Sequence, residues 1–237
     1  MIAYITGTSS GIGKALAEQL LEEGHTVIGL SRKQSIQHLN YDHVKIDLSD
    51  LKSVNQFDFS LNLVEDVVLV NNAGIIGAIK PIGQHIGEEI IELANVNIIA
   101  PQILVNKFIN KYQGFNNKYQ IVNMSSGAGK HPIDAWSTYC ASKAAIDLFS
   151  ETIAQELKSR NYHNWHVFSI APGVVDTPMQ SEIRLSSPKA FLNRQKFIDL
   201  KDNNELETPE SVAQKLYDVI LDPNLCSDVV FSLHDLK

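Results

Sequence analysis

The sequence predicts an α/β fold: one doubly wound parallel sheet of seven strands with helices on both faces. Apolar, β-rich segments alternate with helical patterns from one end of the chain to the other. Several of these segments are nearly continuous runs of Val, Ile and Leu, as expected for strands that are covered on both faces. Strand–helix–strand alternation implies parallel pairing through right-handed crossovers, and therefore a doubly wound sheet.

Seven apolar segments predict the strands, at residues 2–6, 26–31, 43–47, 66–71, 119–124, 166–171 and 228–232. Helical patterns lie between them at residues 13–23, 86–112, 137–160 and 209–221. Residues 50–65 are short and weakly patterned, and they predict one modest helix plus a loop. The chain has no internal repeat, low-complexity tract or linker, and its 237 residues suit a single domain spanning 1–237.

The least regular polar stretch is residues 179–207, which carry Pro188, Asn203 and Asn204. It follows the carboxyl end of a predicted strand, where ligands bind in open α/β sheets. We therefore expect a mobile substrate lid at 179–207. A surface insertion without function is the alternative.

Composition disfavours several classes of function. A net charge of −7 leaves no basic stripe that could release counterions from a nucleic acid. The two cysteines cannot form a disulfide framework. No signal peptide precedes the first predicted strand, and the apolar run 67–70 is far too short to span a membrane. The eight histidines show no paired metal-ligand spacing, so we expect no metal site. These features predict a cytoplasmic protein that binds neither nucleic acid nor membrane.

A Gly-rich turn joins the first predicted strand to the first predicted helix. Gly7 permits a tight turn, Gly11 lets the backbone approach a pyrophosphate, and Gly13 lets the helix pack closely on the strand. The spacing is G-x-x-x-G-x-G instead of the standard G-x-G-x-x-G, and a plain turn without a ligand is the alternative. Its place at the first strand–helix junction predicts dinucleotide binding by Gly7, Ser9, Ser10, Gly11, Ile12 and Gly13.

The end of the second predicted strand indicates which dinucleotide fits. Ser31-Arg32-Lys33 supplies two cations and no carboxylate, which favours the 2′-phosphate of NADPH. A basic loop paired with solvent is the alternative. Asp47, followed by Leu48, ends the third predicted strand. There the carboxylate can accept a hydrogen bond from the adenine amine, or it can belong to the N-terminal cap region of the next helix.

A candidate acid–base pair lies in the third helical pattern. Tyr139 and Lys143, at i and i+4, share one helix face, and Ser125 and Ser126 lie shortly upstream. An ammonium close to a phenol stabilises the phenolate and lowers the tyrosine pKa from its usual value near 10. A lone Y-x-x-x-K is common on ordinary helices, but here it accompanies the two serines and the Gly-rich turn. Together they predict a dinucleotide-dependent oxidoreductase that acts on a carbonyl or an alcohol.

These motifs resemble those of the short-chain dehydrogenase/reductase family over essentially the whole chain. The matching segments are residues 6–13, Asn71-Asn72-Ala73-Gly74, Asn97, Ser126, Tyr139-x-x-x-Lys143, and Pro172-Gly173 with Thr177. The resemblance implies a Rossmann-type fold. It also implies cofactor contacts from Asn72, Ala73, Gly74, Tyr139, Lys143, Pro172, Gly173, Val175 and Thr177.

The same resemblance implies a role for each reacting residue. Ser126 would hydrogen-bond and polarise the substrate oxygen, and Tyr139 would donate the proton as a general acid. Lys143 would bind the ribose hydroxyls and hold the tyrosine pKa down, while Asn97 would position a water in a proton relay. The cofactor would supply the hydride. Dimers or tetramers are usual in the family, through helices corresponding to the second and third helical patterns, and we expect a homodimer.

Within the family, residues 135–140 and 172–180 are most similar to sepiapterin reductases and bacterial benzil reductases, and residues 197–207 support this more weakly. Both groups use NADPH to reduce a carbonyl that has another carbonyl adjacent. Pterin-reducing relatives anchor the pterin with an acidic residue near the C-terminus, for which this chain offers only Asp235 as a loose candidate. We therefore expect an NADPH-dependent reductase of α-dicarbonyl compounds such as benzil, with sepiapterin reduction as the alternative.

Two further residues are candidates for the substrate pocket beside Ser126. Trp136 can form an aromatic wall next to the reacting carbonyl, or it can pack at the start of its helix. Met179 can add adaptable apolar surface.

Two other functions compete with a reductase: a non-catalytic NADP(H)-sensing regulator that binds a partner protein, and an enzyme that oxidises an alcohol with NAD. The acid–base pair disfavours the first, and the basic corner after the second strand disfavours the other.

Overall fold

The computed structural model describes residues 1–60 and 65–236. Within them the chain forms seven strands: β1 Ile2–Thr6, β2 Thr26–Ser31, β3 Tyr41–Lys45, β4 Val67–Asn71, β5 Tyr119–Met124, β6 Trp165–Ala171 and β7 Val230–Ser232. All neighbouring strands are parallel, and they form one sheet in the order β3-β2-β1-β4-β5-β6-β7. The predicted fold class is confirmed.

The described helices cover both faces of this sheet. None of them is both long and apolar enough to cross a membrane. They are α1 Gly11–Glu22, α2 Leu51–Gln56, α3 Gly87–Ala94, α4 Ala100–Tyr112, α5 Ser137–Ser159, α6 Pro178–Leu185, α7 Arg194–Asp202 and α8 Pro209–Leu221.

Two apolar cores lie on opposite faces of the sheet, and β1 contributes to both. Ala3 and Ile5 belong to the core formed with α1 and α8, whereas Ile2 and Tyr4 belong to the core formed with α4 and α5. Because successive side chains of a strand point to opposite faces, a strand with two covered faces has no polar alternation. This packing explains the continuous apolar runs in the sequence.

The strand order places a crevice at one edge of the sheet. β1 pairs with β2 on one side and with β4 on the other, so the connections after β1 and β4 lead in opposite directions across the sheet. In doubly wound folds the ligand binds outside the carboxyl ends of the strands at this switch point. The fold alone therefore directs attention to the loops after β1, β4, β5 and β6.

The single helix predicted at 86–112 is divided in the structure. A π-helical turn, Asn95–Ile99, separates α3 from α4 and buries Val96 and Asn97. A π turn adds one residue to the helical repeat and changes the direction of the side chains around it. Apolar periodicity does not reveal such a turn, because the residues on either side still follow a helical pattern.

Several predicted boundaries shift by a few residues. β3 begins at Tyr41, which pairs with Val27, and it ends before Asp47, whose side chain closes a turn. β7 is limited to the three residues that pair with β6. In the weakly patterned stretch 50–65, α2 is the predicted modest helix, and Asp50 caps it by accepting a hydrogen bond from the backbone N–H of Lys52 at 3.1 Å. Residues 61–64 of that prediction lie outside the described residues.

The stretch 179–207 is more regular than its sequence indicates. α6 and α7 occupy much of it, and a parallel bridge joins its last residue, Glu207, to Val175, which precedes the stretch. Of the nine residues of α7, Phe197 is the buried one. A helix with so narrow a buried face does not show the apolar periodicity by which amphipathic helices are recognised.

Candidate active site

A cavity of about 350 Å³ opens at the switch point of the sheet, where β1, β4, β5 and β6 end. Most of the predicted cofactor residues line it, together with the predicted acid–base pair. These lining residues are Gly7, Ser9, Ser10, Gly11, Ile12, Ser31, Arg32, Asp47, Leu48, Asn72, Ala73, Gly74, Tyr139, Lys143, Pro172 and Thr177. The cavity therefore brings together the Gly-rich turn and the Tyr139–Lys143 pair, which are far apart in the sequence.

Of the other lining residues, only Ser125 belongs to a motif identified in the sequence. Most are apolar or small residues at strand ends and in loops, and only the packing of the sheet brings them together. They are Leu30, Ile46, Ser49, Ile75, Glu92, Val96, Met124, Ser125, Pro178 and Glu182.

The Gly-rich turn is held against the loop after β4. Gly7 has a φ of +76° and Gly11 a φ of +58°, conformations that favour glycine. A Cβ on Gly13 would lie 2.2 Å from Nδ2 of Asn72, so Gly13 permits close packing and does not itself line the cavity. Nδ2 of Asn72 in turn donates to the carbonyl oxygen of Thr6 at 2.9 Å.

The start of α1 fits a negatively charged group. Ser10 is the N-cap residue, with an extended backbone, and its side chain makes no capping hydrogen bond. The first turn contains no acidic residue, and Gly11 and Ile12 line the cavity. A helix N-terminus with free N–H groups and a positive dipole end is a ready anion site. The pyrophosphate of a dinucleotide fits this cradle.

The buried hydroxyl of Ser31 fixes the loop that follows β2. The Ser31 hydroxyl donates to the carbonyl oxygen of Lys33 at 2.9 Å and lies 3.1 Å from Nε2 of His43, so local contacts engage it. Arg32 is exposed and lines the cavity, whereas Lys33 is exposed and does not. Arg32 is therefore the cation that this corner offers to a ligand.

Asp47 closes the turn before α2. Its Oδ1 accepts hydrogen bonds from the backbone N–H of Ser49 at 3.0 Å and from the Ser49 hydroxyl at 2.8 Å. The backbone hydrogen bond is the largest cause of a lowered Asp47 pKa. The N-cap residue of α2 is Asp50, whose backbone N–H donates to the carbonyl oxygen of Asp47 at 3.2 Å, so Asp47 belongs to the cap region of this helix. Asp47 and Leu48 both line the cavity.

Tyr139 and Lys143 lie on α5 with both side chains buried. Nζ of Lys143 donates to the carbonyl oxygen of Met124 at 2.7 Å and lies 5.6 Å from the centroid of the Tyr139 ring. The carboxyl end of β5 thus fixes the lysine, and the helical i, i+4 spacing brings the tyrosine ring beside it.

Burial is the largest influence on the pKa of both groups. It raises the pKa of Tyr139 to about 12, against a lowering by a hydrogen bond with Ser126. It lowers the pKa of Lys143 to about 8, with Asp147 acting in the opposite direction. The expected lowering of the tyrosine pKa by Lys143 is not found, because desolvation penalises the phenolate more than its neighbours stabilise it. At neutral pH Tyr139 is a neutral O–H donor.

The two serines after β5 have different surroundings. Ser126 is half-buried, caps the short 3₁₀ turn Gly127–Gly129 by accepting from the backbone N–H of Ala128 at 3.2 Å, and hydrogen-bonds Tyr139. Ser125 lines the cavity, and its buried hydroxyl has no hydrogen-bond partner among the described residues. Ser126 therefore contacts Tyr139, although it does not line the cavity. Its expected hydrogen bond to a substrate oxygen stays a prediction.

Asn97 braces the loop after β4. Its Nδ2 donates to the carbonyl oxygen of Ile75 at 2.8 Å, and its Oδ1 accepts from the backbone N–H of Ile75 at 2.9 Å. Nδ2 also lies 3.2 Å from the Ser142 hydroxyl on α5. Because these contacts engage both ends of the amide, the side chain acts as a brace for this loop. The expected role of Asn97 in positioning a water stays a prediction.

Of the predicted cofactor residues after β6, two line the cavity and two make contacts within the fold. Pro172 and Thr177 line the cavity. Gly173 has a φ of +86°, and a Cβ there would lie 2.3 Å from Nε2 of His234, so its role is to allow this close approach. Val175 is buried and forms the bridge to Glu207.

Trp136 packs edge to face against the Tyr139 ring, with ring centroids 5.6 Å apart. Trp136, Phe191 and Phe197, here called the aromatic cluster, pack together and bury all three rings. Trp136 does not line the cavity, and its Nε1 has no hydrogen-bond partner among the described residues. Met179 lines the cavity. Among the described residues, no group of three or more His, Cys, Asp or Glu side chains could hold a metal ion.

A phosphate cradle and a buried Tyr–Lys pair that share one cavity define a dinucleotide-dependent oxidoreductase. Residues 1–187 match the model of the short chain dehydrogenase family. The chain belongs to this family and is an oxidoreductase. Over 230 residues it is 36% identical to a benzil reductase ((S)-benzoin forming) from Bacillus cereus, which covers 91% of this chain and 92% of the relative.

A second benzil reductase ((S)-benzoin forming), from Bacillus subtilis, is 35% identical over 223 residues and covers 91% of both chains. The fold is also that of a short-chain dehydrogenase/reductase from Saccharomyces cerevisiae, with a TM-score of 0.84. That structure is 24% identical in sequence and covers 99% of this chain and 96% of its own. At this identity the likeness supports the fold alone.

Proposed function

We propose that this protein is an NADPH-dependent carbonyl reductase that reduces one ketone of an α-dicarbonyl compound such as benzil. The observation that carries the proposal is the meeting of the phosphate cradle, Arg32 and the Tyr139–Lys143 pair in one cavity. The similarity to two bacterial benzil reductases over 91% of the chain supports the choice of substrate class.

The side chains around Tyr139 suit the proton chemistry of such a reduction. When bound in this cavity, a nicotinamide cofactor would supply the hydride that reduces the carbonyl carbon. Tyr139 holds the proton that the carbonyl oxygen needs, because burial keeps its hydroxyl protonated at neutral pH. Ser126, which hydrogen-bonds Tyr139, donates to the same oxygen and polarises the carbonyl. The product is the secondary alcohol.

The remaining cavity residues would hold the cofactor. The N-terminus of α1 would take the pyrophosphate, and Arg32 the 2′-phosphate. Lys143 would take the ribose hydroxyls, and its pKa of about 8 leaves it mostly protonated at neutral pH. Pro172 and Thr177 would contact the carboxamide end.

The position of Asp235 favours a diketone over a pterin. Its backbone N–H donates to the carbonyl oxygen of Ser232 at 2.9 Å, and its Oδ2 lies 3.4 Å from the backbone nitrogen of Ser232. The carboxylate thus closes a turn after β7, and it does not line the cavity.

The acid–base pair disfavours a regulator without catalysis. Tyr139 and Lys143 are both present, both are buried, and they lie in contact with each other.

The test is NADPH consumption with benzil, with a simple aliphatic 1,2-diketone and with sepiapterin, each repeated with NADH. We expect rapid oxidation of NADPH with benzil and little with NADH or sepiapterin. A preference for sepiapterin would instead indicate a pterin reductase. Cofactor binding without turnover of any of the three would support the regulator, and faster oxidation of alcohols with NAD would support the reverse reaction.

Replacing Arg32 with Ala is expected to raise the KM for NADPH roughly 10- to 100-fold, because a hydrogen-bonded charge pair contributes about 1.5–3 kcal/mol. The KM for NADH should change little, since NADH has no 2′-phosphate. Lys33→Ala is the matched control, because it removes a neighbouring exposed cation that does not line the cavity. Equal effects of the two substitutions on NADPH would contradict the assignment of Arg32.

We also infer a cytoplasmic homodimer in which residues 179–207 act as the substrate lid. Ile91, Ile99 and Leu148 are 60%, 37% and 64% exposed, and they lie on the helical segments through which the family dimerises. Light scattering should give the mass of two chains, and Leu148→Lys should shift it towards one. A wild-type protein with the mass of one chain would contradict the dimer.

A further inference from the structure

A third ionisable residue lies on the face of α5 that carries Tyr139 and Lys143. Asp147 follows Lys143 by four residues, just as Lys143 follows Tyr139, and residues at this spacing lie one above the other on a helix. Tyr139 and Lys143 line the cavity, whereas Asp147 does not. The Asp147 carboxylate therefore lies one helical turn beyond the lysine, outside the space that a ligand would occupy.

The Asp147 side chain is held by the sheet and by the 3₁₀ turn that follows Ser126. Its Oδ1 accepts a hydrogen bond from the hydroxyl of Ser169 on β6 at 2.6 Å, and Ser169 is buried. A Cβ on Gly129 would lie 2.8 Å from Oδ2 of Asp147 and 3.0 Å from the backbone carbonyl carbon of Lys143. Because Gly129 has no side chain, the turn packs against α5 at the place where Lys143 and Asp147 adjoin.

The ammonium of Lys143 is buried, and its hydrogen-bond partner is neutral. Nζ donates to the carbonyl oxygen of Met124 at 2.7 Å, a contact that brings no negative charge. Burial lowers the pKa of Lys143 to about 8, and the Asp147 carboxylate raises it against this trend. Without the carboxylate the pKa of Lys143 would fall further towards neutral pH, because an opposite charge nearby favours the protonated form.

Of the charged side chains that the structure describes, Asp147 is the one that shifts the pKa of Lys143. The other ionisable residues on the elements packed against α5 near this point are Glu88, Glu89 and Glu92 of α3, Lys130 and His131 after the 3₁₀ turn, and His166 of β6. Among them Glu92 lines the cavity, and Lys130 and His131 are exposed. Burial lowers the pKa of His166 from 6.5, so this histidine does not titrate above pH 7.

We propose that Asp147 is a positioning residue for the reduction: its carboxylate, fixed by Ser169, keeps the Lys143 ammonium charged so that it can bind the ribose hydroxyls of the cofactor. The inference rests on the proposed function, in which Lys143 holds the ribose. Asp147 touches neither substrate nor cofactor, because it does not line the cavity. It acts through Lys143, and the hydrogen bond from Ser169 keeps the carboxylate in place for this role.

The first measurement follows the charge of Lys143 directly and needs no cofactor. Protein labelled with ¹³C at the lysine ε-carbon is titrated by NMR between pH 6 and 10, and the Lys143 signal is the one missing from Lys143→Met. Asp147→Asn keeps the size of the side chain and an oxygen that accepts from Ser169, but it removes the charge. We expect the titration midpoint of Lys143 to fall by about one pH unit. An unchanged midpoint would overturn the inference and leave the proposed function standing.

The second measurement connects this charge to cofactor binding. Because the ammonium form donates to the ribose hydroxyls, the Kd for NADPH should rise as Lys143 loses its proton, at a lower pH in Asp147→Asn than in wild type. Fluorescence titrations should give a Kd roughly three- to fivefold higher for the variant at pH 8 and nearly equal values at pH 6.5. Equal values at pH 8 as well would overturn the inference. A wild-type protein that binds no NADPH would overturn the proposed function and the inference together.

Two further variants separate the charge of Asp147 from its structural contacts. Glu151→Gln is the matched control, because Glu151 is an exposed carboxylate one turn further along α5 and is screened by solvent. It should change neither the Lys143 midpoint nor the Kd for NADPH. Asp147→Glu restores the charge on a longer side chain and should recover at least half of both shifts. If Asp147→Glu behaved like Asp147→Asn, with both folded by circular dichroism, the role of Asp147 would be structural and the inference would fail.

Discussion

Replacing Tyr139 with Phe is expected to lower kcat about 10²- to 10⁴-fold, the usual contribution of a positioned general acid. The substitution removes the hydroxyl that carries the proton and keeps the ring that packs against Trp136 and Lys143. Cofactor binding should therefore persist. Steady-state rates with NADPH and benzil, together with a fluorescence titration of NADPH, measure the two properties separately.

Tyr217→Phe is a suitable control for this substitution. Tyr217 is 9% exposed, lies on α8 in the core shared with α1, and does not line the cavity. It should retain wild-type rates and wild-type NADPH affinity. A Tyr139→Phe enzyme that works within about threefold of wild type would remove Tyr139 from the mechanism, since general acids contribute far more than this.

Replacing Lys143 with Met is expected to inactivate the enzyme and, at the same time, to stabilise the protein without cofactor. Burial lowers the pKa of Lys143 from 10.5 to about 8, which corresponds to a cost of about 3 kcal/mol for the buried ammonium at neutral pH. Methionine fills a similar space without the charge, but it gives up the hydrogen bond to Met124, so the net gain should be about 1–2 kcal/mol.

The sign of the pH dependence follows from linkage. Between pH 8 and 10.5 the unfolded chain binds more protons at Lys143 than the folded chain, so wild-type stability rises with pH in this window. Below pH 8 both states are protonated and the full penalty applies. The stability advantage of the methionine variant should therefore be constant below pH 8 and shrink towards pH 10.5.

Urea unfolding of both proteins at several pH values between 6 and 10 measures this difference. Lys14→Met is the control, since Lys14 lies on the surface of α1 in an exposed pair with Glu18 and should give no comparable pH-dependent change. A methionine variant that is less stable than wild type at pH 7 would show that the buried ammonium is stabilising. The explanation by desolvation would then be incorrect.

Functional residues that lie close together in the chain could be identified from the sequence. Tyr139 and Lys143 share a helix face because they are four residues apart, and the Gly-rich turn lies between a strand and a helix because of its own backbone requirements. The π turn at Asn95–Ile99 and the helices α6 and α7 could not be predicted. In these segments the pattern of burial depends on distant parts of the chain, such as the contact of Phe197 with Trp136.

The sequence by itself determined the fold class, the place of the phosphate cradle and the acid–base pair of this protein. Each depends on residues that are close together in the chain, through strand alternation, helical periodicity or turn conformation. The tertiary structure decided that Tyr139 is held neutral, that the side chain of Asn97 serves as a brace, and that Phe191 and Phe197 pack on Trp136 beside Tyr139. Desolvation and packing depend on neighbours that are far apart in sequence, and only the folded chain brings those neighbours together.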